Sequence, residues 1–252
     1  MCRHIAYVGP ELALGEVLSA PAHSLVRQSW EPRRQRHGTV NADGFGVGWY
    51  AQGDPVPGRY RRQGPVWADQ SFTDLARVVR STALLAAVRD ATDAGADGEA
   101  AAAPFSSGRL LFSHNGAVRG WPDSVSSLAA ALPVAELLTL TARSDSALVW
   151  ALLQHRIAAG DELSGALADT TVDVGAAAPG SRLNLLLTDG ATIAATTWGD
   201  TLWYLAGPGP GRTVVASEPY DDDPSWREVP DRTLLTATRT EVLLTPLKEH
   251  TA

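Results

Sequence analysis

The N-terminal stretch Met1-Cys2-Arg3-His4-Ile5-Ala6-Tyr7-Val8-Gly9 places the chain's single cysteine just before an apolar run that predicts a short buried strand. A lone cysteine is most often a small buried hydrophobe. Position 2 offers another interpretation, because methionine aminopeptidase removes Met1 when the next side chain is small. Cys2 would then carry both a thiol and an α-amine of pKa about 7.7–8.0, which can act as the base for that thiol.

The composition excludes several classes of protein. One cysteine in 252 residues allows no internal disulfide and no multi-cysteine metal site, and a net charge of -7 argues against a general nucleic-acid binder. No run approaches the roughly 18 apolar residues of a membrane helix. The N-terminus has no apolar signal region, which predicts a cytoplasmic protein. The six histidines show no metal-binding spacing, so we expect no metal, no organic cofactor and no obligate protein partner.

The order of predicted elements indicates an α+β fold in one domain spanning residues 1–252. Strands are predicted at both ends and helices in the middle, which favours two antiparallel sheets covered by helices. Helical spacing predicts amphipathic helices over 73–86 and 145–158. Asp189-Gly190 predicts a hairpin, and the Ala-, Gly- and Asp-rich residues 91–103 predict a mobile surface loop. Further short helices are predicted at 12–18, 24–28 and 124–131, and strands at 44–50, 59–62, 110–112, 183–187, 193–198, 202–205, 214–216, 234–237 and 242–244.

Ser113-His114-Asn115-Gly116 follows an apolar strand and contains donors for an oxyanion hole. The Asn115 side chain offers two N–H groups, and Gly116 lets backbone N–H groups approach a ligand closely. Such donors stabilise the charge of a tetrahedral intermediate. The alternative is a simple Asn-Gly turn, with His114 as a structural histidine.

Two charged residues have a catalytic and a structural interpretation each. Arg89 ends a strand-like apolar run, and arginine is suited to binding a carboxylate through two parallel hydrogen bonds; it can equally form a solvated surface pair with Asp90. Asp145 opens the helix over 145–158, where an aspartate is normally an N-cap. It can instead receive a substrate ammonium group. Together with Cys2 and Asn115, these residues would suit an enzyme that binds an α-amino acid head group.

The order of these motifs along the chain resembles the class II glutamine amidotransferases, which are N-terminal nucleophile hydrolases. The resemblance covers nearly the whole chain, and within the family it is greatest to the γ-glutamyl hydrolases of ergothioneine biosynthesis. The motifs that carry it are Met1-Cys2-Arg3, Asp43-Gly44-Phe45-Gly46-Val47-Gly48-Trp49, Arg89-Asp90-Ala91-Thr92, Pro104-Phe105, His114-Asn115-Gly116, Ser144-Asp145-Ser146 and Ser217-Glu218-Pro219.

The resemblance implies a four-layer αββα sandwich and a role for each site residue. Cys2 would be the nucleophile, and Asn115 with the Gly116 amide would form the oxyanion hole. Arg89 would bind the α-carboxylate of a glutamyl group and Asp145 its α-ammonium. Thr92 would help to bind this head group, and His114, in the same motif as Asn115, is placed with the substrate-binding residues.

The predicted reaction is hydrolysis of a small-molecule γ-glutamyl amide, with hercynylcysteine sulfoxide as the leaving amine. Two alternatives remain: a glutaminase subunit that supplies ammonia to a separate synthetase, and a catalytically inactive binding protein. The leaving amine carries a trimethylammonium group, which proteins bind against aromatic faces. Trp30, Trp121 and Trp226 are the candidates for this contact because they occupy turn-like segments, although all eight tryptophans can equally be packing residues.

Overall fold

A computed structural model describes residues 2–91, 98–207 and 211–248. The strands within these residues are β1 Arg3–Ala13, β2 Gly44–Trp49, β3 Gly58–Arg62, β4 Arg80–Arg89, β5 Phe105–Ser107, β6 Leu110–Ala117, β7 Arg182–Thr188, β8 Ile193–Thr197, β9 Trp203–Gly207, β10 Arg212–Ala216, β11 Arg227–Glu228, β12 Thr233–Ala237 and β13 Val242–Pro246. The helices are α1 Gly15–Leu18, α2 Leu25–Gln28, α3 Gln70–Val78, α4 Ser126–Ala130, α5 Val134–Leu138, α6 Asp145–Ala158 and α7 Leu163–Ala177, with 3₁₀ turns at Val66–Ala68, Gly98–Ala101 and Asp123–Val125.

The strands form two antiparallel sheets. The first has the order β11-β9-β10-β1-β4-β2-β3 and the second the order β13-β12-β8-β7-β6-β5. β1 is the central strand of the first sheet, since it pairs with β10 on one side and β4 on the other. β6 lies between β5 and β7 in the second sheet. The N-terminal strand therefore occupies the middle of one sheet, where neighbours hold it on both edges.

The molecule has four layers, and a hydrophobic cluster fills each of the three spaces between neighbouring layers. Helices α1 to α3 pack on the outer face of the first sheet, and α6 with α7 pack on the outer face of the second. A third cluster joins residues of both sheets and fills the space between them. The αββα sandwich expected from the resemblance is confirmed.

Alternation along β1 decides which side chains face the other sheet. Ile5 and Tyr7 pack with the helices of the first sheet, whereas Ala6 and Val8 pack between the sheets. Since successive strand residues point to opposite faces, Cys2 and His4 belong to the side that faces the second sheet. The proposed nucleophile thus lies at one end of the layer between the sheets.

The helix predicted over 73–86 is wrong in its second half. Helix α3 ends at Val78, and strand β4 begins at Arg80. β4 is held between β1 and β2 with buried residues on both faces, so its sequence is a continuous apolar run and not an alternating one. A continuous apolar run also has apolar residues at positions three and four apart. Periodicity alone therefore does not distinguish a buried strand from a helix.

The predicted surface loop over 91–103 is corrected in the part that the structure describes. Gly98–Ala101 forms a 3₁₀ turn, and Ala101 and Ala102 are buried. These alanines are small enough to pack beneath the turn, and Ala101 joins the core on the outer face of the second sheet. Residues 92–97 lie outside the described ranges, so the expected mobility stays a prediction there.

The predicted hairpin and the helix over 145–158 are confirmed. β7 and β8 pair from Leu186–Ala195 to Thr188–Ile193, and Gly190 in their connection has φ of +91°, a conformation that glycine adopts without strain.

The sequence analysis did not predict α7, whose 15 residues lie against β7 and β8. Small or apolar residues lie on both faces of this helix, so its sequence has no clear amphipathic pattern. Within the described parts of the chain, no helix is long and apolar enough to cross a bilayer.

Candidate active site

Cys2 lies immediately before β1, at the end of the layer between the two sheets. Arg3 pairs with Val88 on β4, so the register brings Cys2 beside the end of β4. The backbone N–H of Asp90 lies close enough to the Cys2 thiol to favour its ionised form. Position 2 is therefore fixed by a central strand and by the turn that follows its neighbour.

The surroundings of Cys2 act on its protonation. Although the residue keeps some solvent contact, the protein atoms packed around the thiol raise its pKa above the ordinary value by desolvation. The Asp90 N–H and the charge of Arg89 oppose this shift, and the charge of Asp145 adds to it. Because the thiol is disfavoured as a free thiolate, an adjacent base is needed to activate it.

Asn115 projects into the same polar end of the layer from β6. Its side chain is fully buried, and its Nδ2 donates to the Ser217 hydroxyl at 3.4 Å. Its Oδ1 has no hydrogen-bond partner among the described residues. A buried carboxamide normally has partners for its polar atoms, so this one retains donor and acceptor capacity that a ligand can use.

The Gly116 backbone N–H points away from β7. Leu183, which is opposite Gly116, donates its own N–H to Trp198 on the β8 side. Gly116 and Leu183 therefore form a pair without mutual hydrogen bonds, and the Gly116 N–H faces the side of β5, whose pairing with β6 ends at Phe112. A Cβ at Gly116 would collide with the carbonyl oxygen of Arg182. Both facts fit a glycine whose amide serves as a donor.

Arg89 is held at the end of β4 by the motif around Asp43. The Asp43 N–H donates to the Arg89 carbonyl at 2.9 Å, and the Asp43 carboxylate accepts from the N–H of Ala91 at 2.7 Å. The Arg89 guanidinium lies close enough to the Cys2 thiol to act on it electrostatically. The turn therefore presents a cation beside the candidate nucleophile.

Asp145 is the first residue of α6, whereas the N-cap is Ser144, whose hydroxyl accepts from the Ala147 N–H at 3.3 Å. The structural alternative, in which Asp145 is the N-cap, is therefore wrong. One carboxylate oxygen accepts from the Val118 N–H at 2.9 Å, and the other accepts from the Ser146 N–H at 2.7 Å and from the Ser146 hydroxyl at 3.2 Å. A carboxylate has about four acceptor positions, so Asp145 can still receive a cationic group.

His114 is buried on the opposite face of β6 from Asn115. One ring nitrogen, Nδ1, is 3.0 Å from the Ser146 hydroxyl, and the other, Nε2, is 3.0 Å from the Arg182 carbonyl oxygen. The contacts join β6, α6 and β7. They favour the structural interpretation of His114, since direct contact with a substrate would require one of these bonds to break.

Two charged residues near the site were not identified as functional from the sequence. Arg3, which follows Cys2, is fully buried, and burial lowers its pKa while the charges of Glu218 and Asp200 oppose that shift. Glu218 is also fully buried and accepts from the backbone N–H groups of Arg33 and Arg34 at 3.0 and 2.7 Å. A glutamate two positions after the apolar strand β10 is the sequence signal that could have pointed to it.

His4 is the buried neighbour of Cys2 on the same face of β1. Its Nδ1 lies 3.2 Å from the Ser113 hydroxyl. Desolvation lowers the pKa of His4 to about 3, helped by the nearby His114 and Arg3. His4 is therefore neutral at physiological pH and adds no charge to the site.

The remaining sequence-based candidates differ in their surroundings. Trp226 is buried, donates to Asp221 at 2.7 Å and packs edge-on against Tyr220, so it is a packing residue. Trp30 is partly exposed, but the Arg27 guanidinium already lies over its ring at 5.4 Å. Trp121 packs against the core under the second sheet. Thr92 lies outside the described residues.

In the portions of the chain described here, no three His, Cys, Asp or Glu side chains are grouped in a way that could hold a metal ion. The groups brought together are a thiol, amide donors, one cation and one carboxylate. This set can attack a carbonyl, stabilise the resulting oxyanion and bind a zwitterionic head group.

Comparison with known proteins gives close relatives over the full length. The chain is 43% identical to a γ-glutamyl-hercynylcysteine sulfoxide hydrolase of Mycolicibacterium smegmatis, over 98% of this chain and 100% of the relative. It is 42% identical to the protein of the same name from Mycobacterium tuberculosis, over 98% of this chain and 97% of the relative.

The fold is shared with solved structures. A glutamine aminotransferase class-II domain protein from Silicibacter pomeroyi superposes with a TM-score of 0.71 at 24% identity, covering 98% of this chain and 100% of that one. Glutamine phosphoribosylpyrophosphate amidotransferase from B. subtilis gives a TM-score of 0.67 at 17% identity, covering 98% and 49%. The sequence also matches the family of class II glutamine amidotransferases over residues 16–212. With this match and these relatives, the chain belongs to the class II glutamine amidotransferases.

Proposed function

We propose that this protein is a cysteine-dependent hydrolase that cleaves γ-glutamyl-hercynylcysteine sulfoxide and releases glutamate. The observation that carries the proposal is the meeting of Cys2, Asn115, Arg89 and Asp145 at one end of the layer between the sheets. The substrate is taken from the names of the two mycobacterial relatives. The geometry supports the reaction type, and the relatives support the leaving group.

The first half of the proposed reaction forms a thioester. Removal of Met1 exposes the α-amine of Cys2, which takes the thiol proton as sulfur attacks the γ-carbonyl carbon. The carbonyl oxygen becomes an oxyanion that accepts hydrogen bonds from Asn115 Nδ2 and the Gly116 N–H. The C–N bond then breaks, and the α-ammonium gives its proton to the leaving amine. Desolvation of the thiol makes this internal base necessary at neutral pH.

The second half returns the enzyme to its starting state. The Cys2 α-amine takes a proton from water, whose oxygen attacks the thioester carbon. The same two donors stabilise the second oxyanion. The C–S bond breaks, the thiolate regains a proton from the ammonium, and glutamate leaves. No redox partner is needed, because neither half changes an oxidation state.

The glutamyl head group is bound by opposite charges. Arg89 pairs with the α-carboxylate through two parallel N–H groups, and Asp145 accepts from the α-ammonium with its remaining acceptor position. Thr92, in the same motif as Arg89, is proposed to help bind this head group. His114 supports it from behind by fixing Ser146, the residue that follows Asp145.

The other expected properties are proposed with the reaction. Residues 1–252 form a single amidotransferase domain that acts on a small molecule without metal, cofactor or obligate protein partner, and without binding nucleic acid or membrane. Because catalysis requires a reduced thiol, we place the protein in the cytoplasm, where thiols stay reduced.

The test measures glutamate released from γ-glutamyl-hercynylcysteine sulfoxide and from glutamine, with intact mass determined on the same sample. The proposal expects a chain that begins at Cys2 and a much higher kcat/KM for the γ-glutamyl sulfoxide. Equal or better turnover of glutamine would favour an ammonia-supplying glutaminase. No turnover of either compound by a chain that begins at Cys2 would indicate an inactive binding protein.

A further inference from the structure

Ser217, the first residue after β10, is fully buried beside Asn115. Its backbone is fixed at both polar atoms. The Ser217 N–H donates to the His4 carbonyl at 3.0 Å, and its carbonyl accepts from the Thr201 hydroxyl at 2.9 Å. These two bonds leave the side chain on a rigid support.

The Ser217 hydroxyl joins the nucleophile's strand to the oxyanion residue. Its Oγ accepts from the His4 backbone N–H at 3.0 Å and lies 3.4 Å from Asn115 Nδ2. A hydroxyl has two acceptor lone pairs, so the two donors together occupy it. β1 belongs to one sheet and β6 to the other, which makes this hydroxyl a polar bridge between the sheets at the end where Cys2 lies.

The neighbouring Asn184 shows the hydrogen bonding of a buried carboxamide that has only a structural role. Asn184 is opposite Asn115 on β7. Its Nδ2 donates to the carbonyls of Asp200 and Thr201, each at 3.1 Å, and its Oδ1 accepts from the Trp198 N–H at 2.9 Å. Within the described residues, Asn115 is held by its contact with Ser217 only, and its second Nδ2 hydrogen is uncommitted.

We infer that Ser217 is a positioning residue that fixes the Asn115 carboxamide so that its second N–H points at the oxyanion. This inference rests on the proposed function. A carboxamide without an anchor can turn about its terminal torsion, which has a broad energy profile. A donor contributes fully only when it is aimed before the charge develops. Loss of the anchor should therefore reduce kcat and leave the Arg89 and Asp145 subsite, and hence KM, nearly unchanged.

The test is a double-mutant cycle with γ-glutamyl-hercynylcysteine sulfoxide as the probe. Ser217→Ala should lower kcat by about 10-fold to 100-fold, less than the 10² to 10³ of a deleted donor, and change KM by less than about twofold. In the Asn115→Ala background the same substitution should change kcat by less than about twofold, because it has no carboxamide left to aim. Ser217→Thr, which keeps the hydroxyl, should restore most of kcat.

Ser113→Ala is the matched control. Ser113 is a fully buried serine that faces the same layer from β6, and its hydroxyl contacts His4 and not Asn115. It should keep kcat within about twofold of wild type. Thermal melts accompany each variant. If Ser217→Ala fails to fold, Ser217→Cys replaces it, since sulfur keeps the shape but accepts hydrogen bonds weakly.

The outcomes separate the two proposals. Wild-type kcat in Ser217→Ala, or an equal loss in the wild-type and Asn115→Ala backgrounds, overturns the positioning role alone. A wild-type protein that releases no glutamate overturns the proposed function and this inference with it. An Asn115→Ala variant with unchanged kcat overturns the oxyanion role of Asn115 and this inference, but not the hydrolysis itself.

Discussion

The two ends of the layer between the sheets are built from the same strands but differ in chemistry. At one end β1 and β6 contribute Val8 and Leu111 to a cluster from which solvent is excluded. At the other end the same strands contribute His4 and Asn115, which are equally buried but polar. A shift of a few residues along a strand separates a packed core from a reactive site.

This difference indicates where stability and activity originate. The apolar end is stabilised by burial, at roughly 25 cal/mol per Å² of apolar surface. At the polar end, His4 Nε2 and Asn115 Oδ1 are buried without hydrogen-bond partners in the described residues, and each such group costs about 1–3 kcal/mol. Burial at the apolar end thus offsets the cost of polar groups that are left unpaired at the other end.

The largest expected effect comes from the nucleophile at the polar end. Cys2→Ala should lower kcat by more than about 10⁴-fold, because no other residue in the site supplies a thiol with its own base. The free energy of unfolding should change by less than about 1 kcal/mol, since Cys2 is partly exposed. Glutamate release and urea unfolding measure the two quantities. Substantial residual turnover would contradict the proposed mechanism, and a chain that retains Met1 should be as inactive as the variant.

The next effect concerns the oxyanion donor. Asn115→Ala should lower kcat by about 10² to 10³ and change KM little, because the donor acts mainly on the transition state. Steady-state kinetics with the γ-glutamyl sulfoxide distinguish this from ground-state binding. A raised KM with unchanged kcat would assign Asn115 to substrate binding or to a turn.

The apolar end should respond in the opposite way. Leu186→Ala removes a fully buried side chain of the cluster between the sheets and should cost about 2–5 kcal/mol of unfolding free energy. Its kcat should stay within about twofold of wild type at a temperature where the variant is folded. A large loss of kcat in folded Leu186→Ala would mean that the two ends are coupled and not separate.

The smallest effect concerns the pH dependence of stability. The pKa of His4 is about 3 in the folded protein and about 6.5 when unfolded, so below pH 6.5 the unfolded state takes up a proton that the folded state does not. Stability is therefore lost as the pH falls from 6.5 towards 3, by up to about 1.4 kcal/mol per pH unit. His4→Asn should flatten this slope in urea titrations at pH 6 and 4. His37→Asn, at an exposed histidine, is the control; equal slopes in all three proteins would refute the assignment.

Much of the candidate site could be predicted from residue types, from their order and from the family resemblance that this order carries. Cys2 stands out by position, and Asn115-Gly116 stands out because an amide and a glycine together suit an oxyanion. Arg89 and Asp145 follow from the charges that a glutamyl head group requires. Short apolar runs also placed most of the strands, because the strands of both sheets are buried on both faces.

Only the tertiary structure decided which interpretation of each pattern holds. Arg80–Arg89 is a strand because β1 and β2 cover both its edges, and local spacing carries no record of those neighbours. Ser217 and Asn115 are 102 positions apart in the sequence, so no local pattern reveals their contact. The sequence by itself determined the reactive groups, because chemistry belongs to the side chain. The order of the strands determined which groups meet, because hydrogen bonds depend on distances between sheets and not along the chain.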